Sequence, residues 1–509
     1  KEVAVATVAT VSTVVVAGVL LVRWKKRDER RWKHSQRMLR KFANDCATPV
    51  PKLWHVAFDL VSDMQTSLSD QSQTDYVMVP LVTSSLPSGT EEGLYYGVNL
   101  REDNFLMMRA RLRGKNEPIT DFDREEVEIP HEVISGTYKD LFDYIALKLA
   151  VFISINTKTN PMTPKGKMGF TVSFPLHDGP STAGANVIRW KSFPINEAAG
   201  KELAKDFNEA LEKHGIDLRV STLVDATLGD LAGGRYYHRD CVAAVTLGLA
   251  TNAVYVESAQ FIPNAGDQNK FGEMVIDMRW GNFNTTHLPI TQFDMALDSE
   301  SSNPGFRILE KLIGGRYLGE VVRRVLLKMA IETALFGETV PAKLKTPYIL
   351  SLAVRETVAE VCDIVAERGA RLAGACIVGI MKKRGRINDK KSVVIIEGGL
   401  YEHYRVFRNL LHSSIWEMLG GALADNVIVE HAHGGSGAGA IFVAATHSQI
   451  RHDSIDPSLS QNEFKVDDHM DLLSDLASFK EADQMESSAA ISDHSDSSDG
   501  GGDGEESKK

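Results

Sequence analysis

Four glycine-bearing segments each follow an apolar run of strand length: near Gly97, at Gly248, at Gly398-Gly399, and across Gly434–Gly439. Strand-like stretches at Leu94–Asn99, Phe105–Leu112 and Met168–Phe174 are separated by a helical pattern around Tyr138–Phe152. A second set has strands near Val220–Val224, Ala243–Leu247 and Ser392–Glu397. Alternation of this kind, punctuated by glycine turns, restricts the chain to α/β layers. Backbone N–H groups approach phosphate oxygens closely only where no side chain intervenes, so repeated strand-to-glycine turns suit a phosphate cradle. Each turn by itself is weak evidence and reads more readily as a plain tight turn.

The chain of 509 residues is long enough for two domains plus appendages. Its net charge of -11 disfavours a general nucleic-acid binder, and much of the acidity lies in the last sixty residues. The four cysteines are far apart with no CxxC pair, so neither a disulfide framework nor a zinc site is expected. Val3–Val22 holds no charge and is closed by Arg23-Trp24-Lys25-Lys26-Arg27. A helix of that length rises about 30 Å and matches a bilayer core, with the basic cluster on the cytosolic side. A cleaved signal peptide competes, but the run is long for one and its basic residues follow it. Residues 30–75 read as a largely helical connection, with Met38, Leu39, Phe42, Ala43 and Cys46 on one face. Ser301-Ser302-Asn303-Pro304 reads as a helix start, which puts Glu310 two turns into that helix. Residues 450–509 form a Ser-rich acidic tail expected to be disordered and open to protein partners.

Longer motifs identify a family. Cys46-Ala47-Thr48-Pro49, Met168–Pro175, Ala232-Gly233-Gly234-Arg235-Tyr236, Thr251–Glu257, Trp280-Gly281-Asn282-Phe283 and Arg323–Met329 resemble plant hexokinase, in order, as far as about Gln449. Tyr96–Arg101 and Val429–Ala440 are similar to the plant hexokinase-like branch, whose members keep the fold and lose catalytic motifs. The resemblance implies a two-domain α/β fold of the hexokinase/actin-like ATPase (ribonuclease H-like) type. It places a small domain at 76–220 and a large domain at 221–449, behind an anchor at 1–29. It also implies ATP with Mg2+ as cofactor and a hexose as substrate.

The departures are as informative. The family's Leu-Val-Asn-Asp-Thr is Leu223-Val224-Asp225-Ala226-Thr227, so Ala226 stands where the resemblance places the general base. The first phosphate loop, Leu-Asp-Leu-Gly-Gly-Thr-Asn, is Val98-Asn99-Leu100-Arg101-Glu102-Asp103-Asn104. Asn99 and Arg101 replace an Asp and a Gly there, and Asn104 is kept. Two anionic side chains near a phosphate are costly, about 4 kcal/mol for like charges about 4 Å apart. The second loop keeps Gly248, Thr251 and Asn252, and the adenosine loop keeps Gly435, Ser436 and Gly437. Of the implied sugar ligands, Ser173, Lys191, Asn252 and Glu310 are present, Asp225 replaces an Asn, and Arg279 replaces a Glu. No intact catalytic residue or metal ligand is expected. Asp230, one turn beyond Ala226, reads as a solvated or helix-capping acid. The segment between about Leu350 and Val358 is shorter than in the family, from a trimmed large domain or an imperfect gene model.

The functional expectation is a membrane-anchored, hexokinase-like protein with little or no activity, acting in glucose-linked regulation or as a scaffold. The alternatives are a slow ATP-dependent hexokinase and a purely structural membrane adaptor. By resemblance the membrane is the mitochondrial outer membrane, with plastid and endoplasmic membranes open.

Overall fold

The computed structural model describes residues 2–70, 73–74, 76–81, 86–101, 103–157, 166–173, 176–177, 187–190, 193–194, 200–262, 272–333, 335–336, 340, 344, 356–388, 390–434 and 437–449. The acidic tail, and with it the expectation of disorder there, lies outside them. So does most of the shortened segment between about Leu350 and Val358, of which only 356–358 are described.

A single helix runs Glu2–Cys46, a second Val50–Ser69. The break falls at Ala47-Thr48-Pro49, because proline restricts the residue before it and donates no hydrogen bond. Arg371 fixes the break, donating to the Thr48 carbonyl at 3.2 Å and to Glu417 at 2.7 Å. Leu39, Phe42 and Cys46 are buried as their spacing predicts, and Leu53, Val56, Ala57, Leu60 and Met64 continue the stripe. Among the described residues no helix is long and apolar enough to cross a membrane. The side chains of residues 1–21 are not among those described.

Fourteen strands follow among the described residues: β1 (Val79–Leu81), β2 (Glu92–Leu100), β3 (Asn104–Arg113), β4 (Thr120–Glu128), β5 (Gly166–Val172), β6 (Leu176–His177), β7 (Val187–Trp190), β8 (Phe193–Pro194), β9 (Leu218–Asp225), β10 (Cys241–Leu247), β11 (Thr251–Ser258), β12 (Glu273–Asp277), β13 (Ser392–Glu397) and β14 (Val427–His431). One sheet has the order β4-β3-β2-β5-β9, another β1-β12-β11-β10-β13-β14, and β6–β8 form a small third. The two large sheets share a plan. In each, an antiparallel meander (β2–β4, β10–β12) is extended on its first strand by two parallel strands (β5 and β9, β13 and β14). Parallel strands covered on both faces need continuous apolar runs, and Val393-Val394-Ile395-Ile396 is buried throughout. The edge strand β4 is charged and largely exposed, which discourages further pairing.

Two helices fill the junction. Ala226–Tyr237 leaves β9 and packs on β10 and β13, while Gly439–Gln449 crosses β2, β5 and that helix. The crossing is a glycine contact: a Cβ on Gly169 would lie 1.9 Å from the Ala440 carbonyl oxygen, and one on Gly229 2.9 Å from the Gly439 carbonyl carbon. Gly97 serves the same purpose, since a Cβ there would meet that of Ala440 at 2.7 Å. Gly97 is therefore inside β2, not in a phosphate-binding turn as its motif suggested.

A second correction concerns Asn303-Pro304. The helix Gln292–Glu300 ends at Ser301, and the next begins only at Ile308. Asp298 accepts from the Gly305 backbone N–H at 3.0 Å, and Lys311 Nζ donates to the Asn303 and Phe306 carbonyls at 2.8 and 2.9 Å. These bonds hold 301–307 as a turn with Gly305 and Arg307 at positive φ. Glu310 thus lies in the first turn of a short helix, Ile308–Ile313.

Candidate active site

Parallel pairing aligns the carboxyl ends of β2, β5 and β9, with Asn99 opposite Thr171 and Val172 opposite Asp225. Asn99, Ser173 and Asp225 are thereby gathered at one sheet edge. Ser173 Oγ donates to Asn99 Oδ1 at 2.8 Å, and its N–H to the Leu100 carbonyl at 2.8 Å. The carboxyl end of β10 supplies Gly248. Thr227 Oγ1 and Thr246 Oγ1, 2.8 Å apart, tie the start of the Ala226–Tyr237 helix to that strand.

Asp225 is the N-cap of this helix and accepts from the Thr227 N–H at 2.8 Å. Burial and then the nearby Asp277 raise its carboxyl above the usual range. Ala226 follows as the first helical residue, buried, with no proton acceptor on its side chain. Asp230 is neither solvated nor a cap: it is 4% exposed, and its Oδ2 has no hydrogen-bond partner. Burial, with Glu397, Asp225 and Glu402 facing it, holds its carboxyl well above the ordinary value. A helix wheel carries Asp230 inward because Ala226, Gly229 and Gly233 make the same flank small enough to dock.

On the other flank, Asn252 Nδ2 donates to Asp277 Oδ1 at 3.0 Å. Arg279 has left-handed backbone (φ 47), and its Nε lies 3.5 Å from Asp277 Oδ2. A cation folded onto a buried acid thus occupies the position where the resemblance implies a sugar-binding carboxylate. Thr251 Oγ1 accepts from Trp280 Nε1 at 2.8 Å and donates to the Thr246 carbonyl at 2.8 Å, so it is consumed by the fold. Glu310 lies beneath Gly281, contacts Arg307, and is pushed up to about 7 by burial despite Arg307, Arg316 and Lys311.

The first phosphate-loop residues point elsewhere. Arg101 pairs with Glu126 of β4 at 3.4 Å, and Asn104 Nδ2 donates to the same oxygen at 2.7 Å. Gly437, with φ 85, stands against Asn99, where a Cβ would meet Nδ2 at 2.9 Å. Gly248 is open, its nearest would-be Cβ neighbour at 3.8 Å. Glu102, Lys191, Gly435 and Ser436 lie outside the described residues. The charges at this junction are mostly paired or acidic. Asp230, Glu397 and Glu402 present buried or half-buried carboxyls to it, and the loop's arginine is engaged at the sheet edge. Asp277, Arg307, Glu397 and Glu402 were not singled out from sequence. Asp277 and Glu397 could have been, as acids ending apolar strands.

Comparison with known proteins bears on the family and the fold. One hexokinase family model matches residues 38–236, and a second matches 242–355 and 351–446. The chain is similar to Hexokinase-1 of Arabidopsis thaliana, 42% identical over 88% of this chain and 99% of that protein. It is similar to Hexokinase-1 of Spinacia oleracea, 40% identical over 87% and 97%. Its fold matches the solved hexokinase from Schistosoma mansoni complexed with glucose, with TM-score 0.67 and 26% identity over 81% of this chain and 99% of that one.

Proposed function

The chain belongs to the hexokinase family, and from that premise we propose that it has little or no phosphoryl-transfer activity and acts in glucose-linked regulation or as a scaffold at a membrane. Active members use ATP and Mg2+ to phosphorylate a sugar hydroxyl, a reaction that depends on positioning and charge neutralisation. The observation that carries the proposal is Ala226. It starts the helix at the carboxyl end of β9, where the resemblance puts the base, and its neighbour Asp225 has an oxygen committed to the Thr227 N–H. Loss of a general base by itself lowers rate about 10²–10⁴-fold. The altered first phosphate loop, with Arg101 paired to Glu126, is expected to reduce it further, although defects in one catalytic unit need not multiply.

What remains favours polyol recognition over catalysis. Ser173, Asn252, Asp225 and Glu310 are held at strand or helix ends by the hydrogen bonds and contacts above. Arg279 can donate to a hydroxyl but cannot accept from one. Each hydrogen bond a sugar fails to make costs about 1–3 kcal/mol, so affinity below that of active relatives is expected.

The test is a coupled assay of hexose phosphorylation on the full chain, beside calorimetry with glucose and with Mg-ATP separately. Turnover is expected at background, and Ala226→Asp combined with Arg101→Gly and Glu102→Gly is expected to raise it. Glucose binding without ATP binding identifies a sugar sensor, and binding of neither identifies a scaffold. Turnover by the unaltered chain within the usual enzyme range, about 1–10³ s⁻¹, refutes the proposal.

The membrane part of the proposal is supported by the uncharged run 3–22 and the basic residues after it. The family resemblance favours the mitochondrial outer membrane, facing the cytosol. Retention of the full chain in alkali-washed membranes, and its loss on deleting residues 1–29, is the expected outcome. Release of the full chain by alkali refutes it.

A further inference from the structure

We propose that His238, Glu430 and His433 form a binding site for one divalent transition-metal ion of the zinc class. The cysteine spacing gave no reason to expect zinc, and the site uses none of them. His238 is the residue that ends the Ala226–Tyr237 helix, Glu430 is the penultimate residue of β14, and His433 follows that strand. The two histidines are brought together across nearly two hundred residues of sequence by the parallel pairing of β10, β13 and β14.

The geometry is close to that of a bound ion. His238 Nε2 lies 3.2 Å and His433 Nε2 3.9 Å from the same oxygen, Oε2 of Glu430, and all three ligand atoms are within 4.8 Å of one another. An ion with bonds of about 2.0–2.2 Å sets tetrahedral ligands about 3.4 Å apart. The His238–Glu430 edge has that spacing already, and small side-chain rotations close the others. Two imidazoles and one carboxylate select zinc, cobalt, nickel or copper over magnesium or calcium, which take oxygen ligands. Three protein ligands leave a fourth position for water.

The state of His433 argues for a ligand in particular. Its Nε2 is enclosed by protein yet has no hydrogen-bond partner. Such an atom is costly unless something occupies it. The ring is held in place against Tyr237, with centroids 4.2 Å apart, and near His238 at 5.6 Å. A simple ion pair between His238 and Glu430 would account for those two residues and leave the His433 nitrogen without a role.

The site is separate from the junction around Ala226. Ala226 and His238 stand at opposite ends of the helix, twelve positions apart, a rise of about 18 Å. An ion there clips the far end of the Ala226–Tyr237 helix to β14 and to the segment leading into Gly434. It binds the folded chain only, and so stabilises it.

The experiment is titration of the metal-stripped full chain with Co2+, followed by its visible d–d absorption, and then displacement by Zn2+. One equivalent of Co2+ with the intense bands of four-coordinate cobalt is expected, with a higher unfolding temperature in Zn2+. His238→Ala and His433→Ala should each weaken binding by more than about 100-fold, and Glu430→Gln by at least about 10-fold. His403→Ala, which removes a histidine that is 83% exposed and outside the cluster, should leave it unchanged. His238→Asn and His433→Gln repeat the test with polarity kept, in case an alanine variant does not fold. Absence of the bands at one equivalent overturns the proposal, as does their persistence in the double histidine variant.

Discussion

Replacing Glu310 with glutamine is the perturbation whose size the structure fixes best. Glu310 is 3% exposed, beneath Gly281 and beside Arg307. Burial outweighs Arg307, Arg316 and Lys311 and moves its carboxyl from 4.5 to about 7. Between those two values the folded chain holds a proton that the unfolded chain has released. Stability is therefore fully present below pH 4.5 and falls as pH rises through about 7, where both states become ionised. At about 1.36 kcal/mol per pH unit, the loss amounts to about 3 kcal/mol at pH 8. Glutamine keeps the shape but does not titrate. The Glu310→Gln chain should match the parent at pH 4.5 and exceed it by about 3 kcal/mol at pH 8. Guanidinium unfolding followed by tryptophan fluorescence reads this as a higher midpoint at unchanged slope. Equal or lower stability at pH 8 would show that the Arg307 contact, not burial, governs this carboxyl, and would refute the reasoning. If Glu310 does bind sugar, the same variant should lose glucose affinity while gaining stability, which is how a retained functional site behaves.

Other substitutions test the packing that shapes the site. Gly169→Ala puts a Cβ on the Ala440 carbonyl oxygen and should displace the Gly439–Gln449 helix, costing more than about 3 kcal/mol or the soluble fold itself. Gly319→Ala, with nothing within 4 Å in the Gly315–Thr333 helix, should be neutral or stabilising by up to about 1 kcal/mol, and thermal melting distinguishes the two. Arg368→Met strands the buried Asp294 carboxylate, to which Arg368 now donates at 2.7 and 2.9 Å. It should cost about 3–5 kcal/mol by denaturant titration, with part recovered in the Arg368→Met, Asp294→Leu double variant.

Local pattern was enough to place most of the elements. The strands around Leu94, Phe105, Met168, Val220, Ala243 and Ser392, and the apolar stripe at Leu39, Phe42 and Cys46, are all where residue periodicity puts them. Periodicity and propensity act over a few residues, so they can be read along one chain. The motif positions came from the family resemblance, and in the fold Asp225, Ala226, Gly248 and Asn252 sit at strand ends.

Only the folded chain decided what each of those residues touches. Asp230 looked like a surface acid until helix docking through Gly229 and Gly439 buried it among Glu397, Glu402 and Asp225. Arg101 stood in the motif only as a replaced phosphate-loop glycine until β3–β4 pairing brought Glu126 to it. Asn303 looked like a helix cap until Asp298 and Lys311 held its segment as a turn. His238 and His433 had no visible relation until β14 was laid beside β13. Each outcome depends on a contact between segments distant in sequence, and the energy of such a contact is set by burial and by the partner's charge. Neither quantity exists until the chain has closed on itself.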